Sequence, residues 1–320
     1  MPAFMRSRLR FPALLLVVAG LAAPGAAHAA TKPLLSLTPE KLQAGRATLA
    51  QTAWRVRVVA QPWVEGQTAT VRFYRNGKRV ARRDVTFKMS PTGKSGMAVV
   101  PFTSERPGRI TVQATHLATP ALPQLKARAV RVRILALSAM PGARGPVVRL
   151  LQQRLSAAGY VVGQRGFYDA RTARAVLAFR KVSGMARTSI ASRDMFRRLL
   201  AGGGRFRIRH PDHGKHVEAD LSRQVLALIR DGKVERIYPF SSGKPSTPTV
   251  RGSFRVYSKT PGTNQKGMVY SSYFIRGYAI HGYYSVPVFA ASHGCLRVPI
   301  PDAVPIYNWL SYGDIVDVYL

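Results

Sequence analysis

The chain has 320 residues and a formal net charge of +35, from 49 Lys and Arg against 14 Asp and Glu. An excess of that size calls for an anionic setting, and a single cysteine excludes an intramolecular disulfide framework. The length is that of two or three domains.

Arg6, Arg8 and Arg10 precede the apolar run Phe11–Ala23, and Ala27-His28-Ala29 forms an A-x-A cleavage site. This pattern predicts a secretory signal peptide over residues 1–29, too short for a comfortable bilayer span. No cysteine lies near the cut, so lipidation there is excluded. No later segment is long and apolar enough to cross a membrane, so the mature chain is expected to have no transmembrane span. Export to the periplasm or cell wall redirects the charge argument. Nucleic acid is not the expected partner, because no nucleic-acid-binding motif accompanies the basic residues. Anionic wall polymers, peptidoglycan carboxylates or lipid headgroups take its place. A basic surface that is merely solvated is the plain alternative.

Residues 34–136 read as all-β. Trp54-Arg55-Val56-Arg57-Val58 alternates apolar and basic residues, as a half-buried strand does. Val71–Tyr74 and Val80–Phe87 flank Asn76-Gly77, a hairpin turn signal. Gly96–Phe102, Arg109–Ala114 and Ala127–Leu135 add strands at sandwich-like spacing. The pattern resembles bacterial immunoglobulin-like modules, for which a ligand-free spacer is the favoured reading.

Residues 141–202 are helical. Val147, Leu151, Leu155 and Ala158 share one helix face, and Gly159 stops it. Asp169 caps a second helix carrying Ala173, Val176 and Phe179, which ends at Ser183-Gly184. Ser192 caps a third with Met195, Phe196 and Leu199. The string from Gly145 through Gln152, Gly166-Phe167-Tyr168-Asp169 and Phe179 resembles the peptidoglycan-binding-like three-helix module. Arg180 stands where that module usually has glutamine. The resemblance implies glycan binding; a folded spacer packed on the next domain is the alternative.

Ala201-Gly202-Gly203-Gly204 reads as a linker to a third domain over 206–320. His210, His213 and His216 follow at three-residue spacing, yet no cysteine accompanies them, and no metal site is expected. Val225–Arg230 and Lys233–Phe240 flank Asp231-Gly232, a second hairpin signal. Tyr278–His281 is a predicted strand, Asp302–Leu310 a predicted helix, and Ile315–Leu320 a last strand.

The chemistry concentrates in Ser292-His293-Gly294-Cys295-Leu296-Arg297, which holds the only cysteine, with Ile280-His281-Gly282 upstream. A free thiol has a pKa of about 8.5 and needs a base to become a nucleophile at neutral pH. His281 and His293 are both candidates. Gly294 permits a sharp turn, which could aim the amides of Gly294 and Cys295 at a developing oxyanion.

These residues, with Thr247-Pro248-Thr249-Val250-Arg251-Gly252-Ser253-Phe254 upstream, closely resemble the catalytic signature of the bacterial L,D-transpeptidases, the YkuD-type domain. The resemblance implies a mainly-β catalytic domain without a cofactor. It implies Cys295 as nucleophile, His281 as general base and the Gly282 carbonyl as its orienting group. His293, Ser292 and Gly294 would support the site and its oxyanion pocket, and Arg297 and Tyr278 would contact substrate. The implied reaction takes a tetrapeptide stem of peptidoglycan, forms a thioester and makes a 3→3 cross-link. An L,D-carboxypeptidase, in which water resolves the thioester, and a non-enzymatic wall-binding scaffold are the alternatives.

Overall fold

The computed structural model describes residues 32–320; the expected leader, 1–29, lies outside them. The chain runs β1 (Leu34–Glu40), β2 (Ala47–Leu49), β3 (Trp54–Gln61), β4 (Thr68–Arg75), β5 (Lys78–Thr86), β6 (Lys88–Met89), β7 (Gly96–Phe102), β8 (Gly108–His116), β9 (Leu125–Lys126) and β10 (Val130–Leu135). Helices α1 (Pro146–Ala157), α2 (Ala170–Val182) and α3 (Arg193–Leu200) follow. The last part comprises β11 (His216–Asp220), β12 (Val225–Arg230), β13 (Lys233–Pro239), β14 (Gly252–Arg255), β15 (Ser258–Thr263), β16 (Val269–Ile275), β17 (Tyr278–Tyr283), β18 (Leu296–Pro299), α4 (Ile300–Trp309) and β19 (Ile315–Tyr319).

The first ten strands form two sheets, ordered β1-β3-β7-β6 and β2-β10-β8-β4-β5, with β9 on β8. The alternation in β3 is realised: Trp54, Val56, Val58 and Ala60 are buried, while Arg55 and Arg57 reach Glu40 at 2.8 and 2.9 Å. Trp54 meets Phe73 and Phe102 edge-on, and those two rings stack at 4.2 Å. Asn76 and Gly77, at φ +49° and +78°, make the two-residue turn from β4 to β5.

The helical segment is capped as the sequence predicts. Asp169 accepts from the Thr172 amide at 2.8 Å and Ser192 from that of Met195 at 3.4 Å. Arg180 is buried inside the segment, donating to the carbonyls of Ala186 and Ile190 and to Ser192 Oγ. It braces the connection to α3 rather than facing solvent. The glycine run after α3 is packed at its end: Gly203 lies against Arg198 and Gly204 against Phe179, while Gly202 is open. Gly204, at φ +75°, lies so close to the Phe179 ring that a Cβ would stand 2.1 Å from it, and its carbonyl accepts from Tyr160 Oη at 2.5 Å.

The C-terminal part has two sheets, β13-β12-β11-β19-β14 and β15-β16-β17-β18. Strand β12 explains how the helices relate to them. Its residues Val225–Ile229 are all buried. Leu226 and Leu228 join the core between the two sheets, whereas Val225, Ala227 and Ile229 join the core of α1–α3 and the N-terminal sheets. A strand buried on both faces reads as a continuous apolar run, and the helical segment covers the second face.

Polar contacts tighten that seam. Arg174 on α2 grips Asp302, at the start of α4, at 2.7 and 3.0 Å, and Arg171 donates to the Pro301 carbonyl at 3.2 Å. Lys181 is buried and donates to the carbonyls of Gln224 and Phe240, both at 3.1 Å; burial, aided by Arg187, brings its pKa down to about 7. Removing one partner of a buried ion pair strands the other charge. Arg174→Ala is therefore expected to destabilise the chain by about 3 kcal/mol, the low end for such a pair because Arg174 keeps some exposure. Urea denaturation checks this, and a midpoint unchanged from wild type would contradict it.

Candidate active site

The site is built on β17 and β18. They pair in parallel, with Ile280 opposite Leu296 and His281 opposite Arg297. Ile280 and Leu296 point into the core, so alternation sends His281, Arg297 and Cys295 to the other face. Gly282 lets β17 lie against α4: a Cβ there would come within 2.8 Å of Ala303 Cβ.

His281 is 3% exposed, and its Nδ1 lies 2.9 Å from the Gly282 carbonyl. A carbonyl only accepts, so Nδ1 carries the proton and Nε2 is left as the basic nitrogen. Burial lowers the His281 pKa to about 4; the Gly282 contact opposes this and nearby Arg297 adds to it. His293, by contrast, is exposed.

Burial pushes the Cys295 thiol up, while the Ala279 amide and the charges of Arg297 and Lys266 pull it down. Its Sγ donates to the Gly277 carbonyl at 3.6 Å. Among the described residues, no hydrogen bond joins Cys295 to His281 or His293. The groups that hold the sulfur are Gly277, at the turn into β17, and Ala279, within that strand, and the sequence pattern did not single them out.

The turn before Cys295 is fixed from two directions. Ser292 is fully buried; its Oγ donates to the Cys295 carbonyl at 2.6 Å and accepts from the Gly294 amide at 3.0 Å. This corrects one expectation: the Gly294 amide is committed to Ser292 and is not free for an oxyanion. Gly294 has φ +115°, and a Cβ on it would fall 2.1 Å from the Tyr278 ring. Tyr278 thus packs beneath the turn. Arg297 lies over the Tyr283 ring at 4.1 Å, and Tyr283 also meets His281 edge-on.

The second direction is the segment after β13. Ser241 exchanges two backbone hydrogen bonds with Arg297, both at 2.9 Å. The Ser242 carbonyl accepts from the amides of Ala291 and Ser292, and Lys244 donates to the Ser292 carbonyl. Thr247 Oγ1 donates to the Ser292 carbonyl at 3.1 Å and Thr249 Oγ1 to that of Gly294 at 2.7 Å. The Thr-Pro stretch therefore cradles the cysteine turn. Arg187, from the loop after α2, donates to the Val288 carbonyl at 2.9 Å and to that of Ser222 at 2.8 Å, which ties the loop Tyr283–Ala291 to the helical segment.

His210 and His213 come together with Asp317, their donor atoms within 4.8 Å of one another. Asp317 is already bonded to His213 Nδ1 at 3.0 Å and to Ser253 Oγ at 2.5 Å, and it sits on β19, in the sheet that does not carry Cys295. His216 bonds instead to the Gly214 carbonyl and to Glu218.

Residues 214–318 match the L,D-transpeptidase catalytic domain, and residues 144–199 match the peptidoglycan binding domain. The crystal structure of an L,D-transpeptidase from Xylanimonas cellulosilytica is 34% identical and superposes with a TM-score of 0.54 over 57% of this chain and 97% of that one. L,D-transpeptidase 1 of Mycobacterium tuberculosis is 28% identical over 126 residues, which cover 31% of this chain and 48% of that protein. The chain thus spans about half the length of the curated relatives it matches. With a 34% identical solved chain matched over 97% of its residues and a catalytic-domain match that encloses His281 and Cys295, the chain belongs to the L,D-transpeptidase family.

Proposed function

We propose that the protein is an exported peptidoglycan L,D-transpeptidase that forms 3→3 cross-links through a thioester on Cys295. The observation that carries this reading is the buried His281, with Nδ1 held by the Gly282 carbonyl, on the strand beside the cysteine. Such an imidazole is neutral near pH 7 and presents Nε2 as a base.

In this mechanism the Cys295 side chain leaves the Gly277 carbonyl, to which it donates at rest, and turns to His281 Nε2. The proton passes to Nε2 as sulfur attacks the carbonyl of the diamino acid at the third position of a tetrapeptide stem. The amide of Cys295 meets the oxyanion. Collapse expels D-alanine, whose nitrogen takes the proton from His281. The amine of a second stem then attacks the thioester, His281 accepts its proton, and Cys295 leaves as the thiol. If water takes the place of the amine, the same site is an L,D-carboxypeptidase. His293, being exposed, serves the substrate side of the site rather than the proton transfer, and Arg297 and Tyr283 form its wall. In this reading residues 206–320 are the catalytic domain and 141–202 the wall-binding module. Residues 34–136 are an immunoglobulin-like spacer, and 1–29 are a removed leader that directs the chain to the periplasm or wall.

Incubation with a disaccharide-tetrapeptide, with products read by mass, tests the reaction. Cross-linked dimer with loss of D-alanine is expected; tripeptide alone means the carboxypeptidase. Cys295→Ala is expected to abolish both. His281→Ala should slow acylation by about 10²–10⁴-fold, and His293→Ala by less than about tenfold. A large loss in His293→Ala with little in His281→Ala would reverse the assignment.

The pH profile gives a separate check. His281 must be neutral to act as base, so acylation is lost only as pH falls through its folded pKa, lowered to about 4. The acid limb of kcat/KM should lie well below the usual imidazole value of about 6.5. A limb at the usual value would mean that the base is an exposed histidine.

A further inference from the structure

A cavity of about 860 Å³ lies away from the cysteine. It lies between helix α1 and the β2 end of the N-terminal sheets. Arg46 and Arg133 line it from the sheets, and Arg149, Gln153, Ser156 and Arg165 from the helical segment. Residues 149, 153 and 156 fall on one face of α1, at helical spacing. The other side of that helix is spent on the core, where Leu151 and Leu155 are buried.

Four arginines face the cleft, and no carboxylate lines it. Among the described residues, none of the four is in an ion pair. Arg133 also stands directly opposite Arg109 in the β10–β8 ladder, and both are exposed. Like charges directly opposed across two strands cost stability, a cost that a bound anion removes. Guanidinium groups match carboxylate and phosphate in a two-point geometry, and Gln153 and Ser156 offer the neutral polar contacts that sugar hydroxyls take. The cleft volume suits a ligand of oligosaccharide-fragment size. Arg46 and Arg133 lie outside residues 144–199, so the cleft exists only where the N-terminal sheets meet the helical segment.

We propose that this cleft binds an acidic saccharide, one carrying carboxylate or phosphate groups along a sugar or polyol chain. The inference rests on the wall location proposed above. It places an anchoring site away from Cys295, built jointly by the first two parts of the chain.

The test uses the purified protein at about 150 mM salt, where the Debye length of ~8 Å suppresses diffuse attraction. Fluorescence anisotropy follows three labelled probes: soluble glycan strands bearing stem peptides, poly(glycerol phosphate) and a neutral chitooligosaccharide. A variant with Arg46, Arg133, Arg149 and Arg165 all changed to Gln is compared with one in which the exposed Lys78, Arg79, Lys88 and Arg128 are changed to Gln. The cleft variant should lose at least about tenfold in affinity for an anionic probe, a loss equivalent to roughly 1.4 kcal/mol. The control should lose less than about threefold, equivalent to ~0.65 kcal/mol. The anionic probe that responds identifies the source, carboxylate or phosphodiester. Equal loss in both variants, equal binding of the neutral probe, or no binding of any probe by wild type overturns the proposal. Turnover of a soluble tetrapeptide donor is measured alongside. It should survive in the cleft variant, and its absence in wild type would count against the catalytic reading without touching the cleft.

Discussion

The parallel pairing of β17 with β18 sets the terms for the rest of the catalytic part. Two parallel neighbours cannot be joined by a tight turn and need a crossover of about a dozen residues or more. Here the crossover is residues 284–295, and it carries no helix. A crossover without regular structure must satisfy its backbone polar groups elsewhere. That need accounts for Ser292, with its bonds to Gly294 and Cys295, and for the hydroxyls of Thr247 and Thr249 on the carbonyls around the turn. The cysteine is rigidly placed because the chain that delivers it had to be tied down.

The helical segment belongs to the same construction. Val225, Ala227 and Ile229 on the outer face of β12 would meet water without α2. Arg174 and Arg171 reach the first turn of α4, the helix that follows β18 directly and touches Gly282. Arg187 holds the carbonyl of Val288 in the crossover. Three arginines of one segment thus hold the helix that follows the strand pair and the crossover that joins it. A wall-binding role for this segment does not compete with its packing role, because the cleft face of α1 and the packed face of α2 point to different neighbours.

Much of this was legible in the sequence because it is local. The Asn76-Gly77 and Asp231-Gly232 turns, the caps Asp169 and Ser192, and the alternation of β3 each depend on residues within a few positions of one another. The cysteine motif was legible for the same reason. The Ser241–Thr249 cradle was half visible, as a family-like Thr-Pro stretch whose bonding to residues 291–297 no local pattern reveals. Gly277, Ala279 and Arg187 were not visible, since their contacts join distant segments through backbone carbonyls and amides, which carry no side-chain signature. Arg180 shows the same limit from the other side: it stands where the module usually has glutamine, and nothing local to that position reveals that it is a buried brace.

The electrostatics of the site follow from burial more than from pairing. Desolvation disfavours both a thiolate at Cys295 and an imidazolium at His281. Arg297, alongside His281 in the parallel ladder, opposes the imidazolium and favours the thiolate. Its charge therefore does not stabilise a resting ion pair of sulfur and imidazole; it shifts the balance toward the anion alone. The resting state that these influences select is neutral on both groups, with the thiol turned to the Gly277 carbonyl. A neutral pair costs less to bury than an ion pair, and it defers charge separation until a substrate carbonyl is present to receive it. In the mechanism proposed above, the seat of the sulfur between the Gly277 carbonyl and the Ala279 amide is its resting position, and the positive charge of Arg297 acts when the anion forms.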